Sequence, residues 1–258
     1  MTRTLLRPAL GAALLALFPF AAAAADCPNN PDALGTSRVL TVDPAATPAV
    51  GRKQFPVTLP LEPKEVVLTF DDGPWPGTTD AVLAALRHEC VKATFFMLGR
   101  SAAAHPALVR KVVAEGHTVG HHSYRHPLLN RMSLNRAEAE IDRGIAAVDQ
   151  AAYGAGSPTS NSAPKTPFFR FPGFASSPAL LGLMAKRQIV VFGADLWASD
   201  WNRMRPDRER ALVLERLAKS HGGIVLFHDT QAQTARMLPA LLRDLKRQGY
   251  RVVHVVAH

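Results

Sequence analysis

Two carboxylates, Asp71 and Asp72, follow the apolar run Val66 to Phe70 and precede Gly73-Pro74. The run is rich in β-branched residues and reads as a buried strand that the Gly-Pro pair breaks into a turn. Charges at the end of a buried strand cost free energy unless a metal ion, an arginine or a catalytic task compensates them. A solvated surface turn is the plainer alternative. Further along, His122 and His126 stand four apart, so a single helical turn would put both imidazoles on one side. Pro127 disfavours helical geometry at His126, which predicts a short turn ending there. With Asp72 as a third ligand, the two histidines make a facial metal site with open positions, suited to zinc or another divalent ion. His117 and His121 read as structural or rim residues.

Arg170 lies within Phe169-Arg170-Phe171-Pro172. An arginine in so apolar a segment wants a carboxylate, and Asp71 is the natural partner, unless the strand is an edge and the guanidinium points to water. The stretch Asp195 to Trp201 interleaves acids and indoles after Phe192. That suits a pocket wall, with core packing of the tryptophans as the alternative. His228 and Asp229 end the run Ile224 to Phe227. A histidine there is placed for acid or base work, against the alternative of a structural histidine.

These side chains meet only if the intervening elements bring them together. Strands are predicted at 66–70, 93–98, 118–120, 167–171, 189–192, 223–227 and 251–256. Helices are predicted at 79–88, 106–115, from a Ser133 cap to 151, 178–186, 206–220 and 235–248. This alternation implies parallel strands with right-handed crossovers, as a barrel or as a doubly wound sheet. In either, chemistry gathers at the carboxyl ends of the strands, where the candidates above stand. The Gly/Ser/Pro/Asn tract 154–166 reads as a surface loop.

Residues 1–25 carry Arg3 and Arg7, then an apolar stretch too short for a confident span, then Ala21 to Ala25. That pattern is a secretory signal, with an uncleaved anchor as the lesser alternative. It implies a secreted or periplasmic protein with no stable membrane span once the signal is removed. Residues 26–64 read as an extended arm with a possible strand at 37–42, and 65–258 as one domain. After export, Cys27 and Cys90, the only cysteines, would form a disulfide; two thiols with Cys90 buried is the other arrangement. A net charge of +9 over 258 residues favours anionic partners such as a cell-wall polymer. No nucleic-acid motif accompanies it, which argues against nucleic acid.

The chain resembles the polysaccharide deacetylases, carbohydrate esterase family 4, with the NodB-homology domain. The resemblance rests on Thr69-Phe70-Asp71-Asp72-Gly73-Pro74 and His122-Ser123-Tyr124-Arg125-His126, followed in order by Arg170-Phe171-Pro172, Asp200-Trp201 and Leu226-Phe227-His228. It implies an α/β fold of the irregular (β/α)7-type barrel, TIM-barrel-like, preceded by the short arm. It implies Asp72, His122 and His126 as ligands of a divalent metal, zinc foremost. Asp71 would be the general base, Arg170 its partner, His228 the general acid and Asp200 the partner of His228. Trp201 and Leu226 would line the acetyl pocket, and a backbone N–H near Gly173, after Pro172, would meet the oxyanion. One departure stands out: the family's third motif has an aromatic after the proline, whereas here Gly173 follows Pro172 and Phe174 comes one place late. The implied activity is removal of acetyl groups from N-acetylglucosamine units of peptidoglycan or a chitin-like glycan. A catalytically silent glycan-binding relative is the alternative, and the presence of base, ligands and acid counts against it. A metallopeptidase or phosphatase is disfavoured by the lack of His-Glu-x-x-His.

Overall fold

The structure is a computed structural model that describes residues 27–28, 30–154 and 164–258. The expected signal segment and most of the tract 154–166 lie outside the described residues. Among those described, ten strands and seven α-helices follow one another. They are β1 (Thr36–Val42), β2 (Ala49–Val50), β3 (Glu65–Asp71), α1 (Thr78–His88), β4 (Thr94–Met97), α2 (Gly99–Ala104), α3 (Pro106–Ala114), β5 (Thr118–His121) and α4 (Leu134–Tyr153). Then come β6 (Phe168–Phe169), α5 (Pro178–Lys186), β7 (Val190–Phe192), β8 (Leu196–Trp197), α6 (Pro206–Ser220), β9 (Gly223–His228), α7 (Ala232–Arg247) and β10 (Arg251–Ala257).

Every ladder is parallel, as the alternating pattern requires. β3 is central. One of its edges carries β9 from Val66↔Gly223 to Asp71↔His228. The other is shared, with β10 paired to Glu65 and Val66, and β4 paired to Thr69 through Asp71. The row continues from β4 through β5 and β6 to β7, while β8 flanks β9. The curved row β8-β9-β3-β4-β5-β6-β7 is barrel-like, but among the described residues no ladder joins β7 to β8, so hydrogen bonds do not close it. β2 fills that seam. It pairs with β7, Val50 O accepts from Gly193 N–H at 2.6 Å, and Ala194 O accepts from Lys53 N–H at 2.9 Å.

The stretch expected as an extended arm thus supplies two strands, β1 against β10 and β2 against β7. Cys27 is bonded to Cys90 with Cα atoms 5.8 Å apart, which ties the start of this stretch to the end of α1. Two further differences are local. The short helix α2 starts at Gly99, where the strand pattern stops. α7 begins at Ala232, three residues before the predicted start, so Pro239 lies inside it.

Side-chain parity along the strands decides what the barrel contains, since successive residues face opposite sides. Leu68 and Phe70 face outward and pack with Leu83 and Leu86 of α1 and Leu241 of α7. Val67 faces inward with Phe96, Phe168, Phe192 and Ile224. Continuing that parity turns Thr69 and Asp71, His122, Arg170 and His228 inward, all at carboxyl ends. The aliphatic residues below them form the floor of the site.

α4 supports the loop that carries His122 and His126 through a close approach at Gly144. A Cβ there would fall 2.5 Å from the carbonyl carbon of Ser123. We expect Gly144→Ala to destabilise the protein by about 1–3 kcal/mol, as overpacking does. A thermal melt superimposable on the wild type would show that α4 does not hold this loop.

Candidate metal and catalytic centre

Asp72 leaves the end of β3 with φ of 75°, in the left-handed region. Ser123 (φ 64°) and His126 (φ 69°) are also left-handed, and His126 N–H donates to Ser123 Oγ at 3.0 Å. The helical turn expected from the spacing of His122 and His126 is therefore absent. Two left-handed residues bring the rings to 5.0 Å between centroids instead. Positive φ is costly for residues with a Cβ, and such strain gathers where side chains must be aimed.

Asp72, His122 and His126 each offer one ligand atom, all within 4.8 Å of one another. Asp72 Oδ1 lies 3.6 Å from His122 Nε2 and 3.5 Å from His126 Nε2. His122 Nδ1–H donates to Arg170 O at 2.7 Å, which leaves the Nε2 lone pair facing the cluster. Burial pushes the His122 pKa down to about 3, so the imidazole is neutral, the form that binds metals. Asp72 Oδ1 is buried with no hydrogen-bond partner. An orphaned carboxylate oxygen between two imidazole nitrogens is the environment a divalent cation satisfies, and the three residues fit one.

Asp71 sits beside this cluster, with Oδ2 3.8 Å from His122 Nε2. Its Oδ1 accepts from Arg170 Nη1 at 2.7 Å. Arg170 is fully buried. It also donates to Thr69 Oγ1 (2.9 Å), Phe192 O (3.2 Å) and Gly193 O (2.8 Å), and lies over the Phe96 ring. Burial pushes the Asp71 carboxyl up, while the Arg170 charge pulls it back. One oxygen is thus fixed and the other is left free toward the cluster.

His228 faces Asp71 across the β3–β9 ladder. Its Nδ1 is 2.8 Å from Asp200 Oδ1, and its backbone N–H donates to Asp200 Oδ2 at 2.6 Å. Nε2 therefore points into the mouth, 3.9 Å from Asp72 Oδ2. Burial works to lower the His228 pKa, but the hydrogen bond and charge of Asp200, with Asp71 and Asp72 beyond, outweigh it and lift it to about 9. His228 is an imidazolium at neutral pH.

These groups open into a cavity of about 390 Å³ whose walls include Gly173, Phe174, Trp197, Trp201 and Leu226. Pro172 is buried and does not line it. The missing aromatic after Pro172 is replaced by an unexpected route. Gly173 (φ 57°) and Phe174 (φ 55°) are both left-handed, and Phe174 stacks on Trp197 with centroids 6.3 Å apart.

Several acidic and histidine residues prove structural. Asp195 accepts from Arg52 N–H, Thr58 Oγ1–H and Ile224 N–H, pinning the segment after β2 to β9. His121 faces away from the mouth and bonds Asp149 at 3.1 Å. Asp229 lies under Gly73 and accepts from Thr79 Oγ1 at 2.5 Å, which braces the Asp-Asp-Gly-Pro turn. Sequence reasoning missed Thr69 and Phe174. Thr69 shares the inward parity of Asp71, and that could have found it. The reversal that aims Phe174 has no such signal.

The sequence profile described as Polysaccharide deacetylase matches residues 58–188. The peptidoglycan-N-acetylglucosamine deacetylase PgdA of Listeria monocytogenes is 34% identical over 197 residues, which cover 74% of this chain and 38% of that protein. The matched part of the chain thus spans well under half the length of that relative. A peptidoglycan-N-acetylglucosamine deacetylase of Bacillus cereus is 34% identical over 203 residues, covering 76% of this chain and 89% of that one. Among solved structures, the Bdellovibrio bacteriovorus peptidoglycan deacetylase Bd3279 superposes with a TM-score of 0.74 at 32% identity, over 85% of this chain and 58% of that chain. By profile, sequence and fold together, this chain belongs to the polysaccharide deacetylase family.

Proposed function

We propose that the protein is a metal-dependent N-deacetylase that removes acetyl groups from N-acetylglucosamine units of an envelope glycan. The observation that carries this reading is that Asp71 and His228 both face the Asp72–His122–His126 cluster, with Asp71 Oδ2 3.8 Å from His122 Nε2 and His228 Nε2 3.9 Å from Asp72 Oδ2. One is a carboxylate with a free oxygen. The other is an imidazole held charged. Two groups of different chemistry facing one cluster, one able to accept a proton and the other to give one, assign the base and the acid.

In this reading Asp72, His122 and His126 hold a divalent cation, which we take to be zinc and which supplies Lewis acidity toward water and the acetyl carbonyl. Asp71 Oδ2 accepts the proton of the attacking water, while Arg170 keeps Oδ1 occupied and the carboxylate in place. The backbone N–H of Gly173 donates to the developing oxyanion. His228 Nε2–H then protonates the departing amine, and Asp200 steadies the imidazolium until that transfer. Trp201 and Leu226 shape the acetyl pocket, with Phe174 completing the wall.

Peptidoglycan is the substrate class we favour, with chitin-like oligosaccharides next. Relatives named for peptidoglycan N-acetylglucosamine support it, as do the expected signal at 1–25 and the net charge of +9. The protein would then work in the periplasm or outside the cell. No helix among the described residues is long and apolar enough to cross a membrane.

Five outcomes test the reading. Acetate release from acetylated glycan should fall about 10²–10⁴-fold in Asp71→Asn with bound metal retained; full turnover in that variant would remove Asp71 as base. His122→Ala should lose metal and activity together, measured by elemental analysis beside the acetate assay, and unchanged metal content would break the ligand set. Turnover should decline as pH rises through about 9, where His228 loses the proton it donates. In Asp200→Asn the decline should move to lower pH, because the charge that lifts His228 is gone; a profile that stays put would sink the acid assignment. Arg170→Met should cost about 3–5 kcal/mol in denaturant unfolding, since it strands a buried carboxylate.

A further inference from the structure

Behind His228 lies a second carboxyl that this chemistry leaves unused. Glu209 stands in the first turn of α6 and Thr234 in the first turn of α7, and both are fully buried. Thr234 Oγ1 is 2.8 Å from Asp200 Oδ2 and 2.8 Å from Glu209 Oε1. A hydroxyl carries one proton and can donate to only one of them. Were both carboxyls ionised, one contact would set lone pair against lone pair in a buried site. One carboxyl therefore brings its own proton.

The surroundings decide which. Asp200 is supplied with donors at both oxygens, the His228 backbone N–H on Oδ2 and the His228 ring Nδ1–H on Oδ1. Among the described residues Glu209 makes no ion pair, and its Oε2 has no hydrogen-bond partner. The charged groups that bear on it are Asp200, a like charge, and His228, whose charge Asp200 already engages. Arg210, next along α6, is turned to Asp207 and to Asp244 of α7. Burial, with the like charge of Asp200, pushes the Glu209 pKa up to about 7.

We infer that Glu209 is a protonated positioning residue of the site: its carboxyl donates to Thr234 Oγ1, Thr234 donates to Asp200 Oδ2, and Asp200 is thereby fixed with Oδ1 on His228 Nδ1. The chain of donors runs one way, from α6 through α7 to the group that protonates the leaving amine. Charge-assisted bonds at its far end make the orientation of Asp200 depend on a residue that touches neither substrate nor cation. The functional half of this inference rests on the deacetylase reading. The protonation of Glu209 does not.

The test has two arms on the full chain. The first is infrared difference spectroscopy of wild type against Glu209→Gln at neutral pH. A carboxylic-acid C=O band is expected in the wild type and should vanish in the variant. A difference confined to carboxylate bands would overturn the protonated assignment, whatever the enzyme does. The second arm is kinetic. Thr234→Val and Glu209→Leu should each lower kcat for acetate release about tenfold, the effect of one hydrogen bond to a charged group, with KM and metal content unchanged. Thr234→Ser and Glu209→Gln, which restore a donor at the same places, should recover most of the loss. Wild-type kcat in Thr234→Val would overturn the positioning role. If wild-type protein releases no acetate, the deacetylase reading fails while the infrared arm still decides where the proton sits.

Discussion

A guanidinium with no access to water must find a partner for its charge and for its donors, and Arg170 does so by reaching across the barrel interior. It donates to Thr69 and Asp71 on β3 and to the carbonyls of Phe192 and Gly193 at the end of β7. Its own backbone carbonyl accepts from His122 Nδ1. One residue thus spans three walls, fixes one oxygen of Asp71 and sets the tautomer of His122. The carbonyls it caps lie at the seam that no strand ladder closes. Burying such a cation is unfavourable in itself, and what it provides is a unique arrangement of the groups around it.

His122 and His228 show how far environment alone can separate two copies of one side chain. Burial drives His122 down to about 3, against the hydrogen bond to the Arg170 carbonyl. His228 is less deeply enclosed and meets Asp200 with both its ring and its backbone, and it rises to about 9. At neutral pH the first offers a lone pair and the second a proton. Both face the same mouth because β5 and β9 run parallel to β3 and end at the same level.

What could be read from the sequence is what short-range pattern controls. Strand parity follows from alternation, and the Asp-Asp-Gly-Pro turn and the His-Ser-Tyr-Arg-His spacing are local. The parallel order follows from strands alternating with helices. What could not be read is set elsewhere. Left-handed backbone at Asp72, Ser123, His126 and Phe174 leaves no mark in residue type, because the surrounding packing imposes it. β2 is two residues long and exists only because β7 offers an edge. Thr234 and Glu209 look like ordinary helix residues until the first turns of α6 and α7 are laid side by side. The failure of the barrel to close is equally invisible, since it turns on β2, from before the alternating pattern begins, pairing with β7 where β8 would otherwise stand.

The two strands contributed by residues before β3 bear on how the molecule is made. β1 pairs with β10, the last strand of the chain, and β2 with β7. β1 has no edge to join until β10, far along the sequence, is present. Contacts of such sequence separation carry a loop-closure cost that slows their formation. Pairing of β1 is therefore a late event, and this outer edge of the sheet stays open while the rest of the parallel row is already able to form.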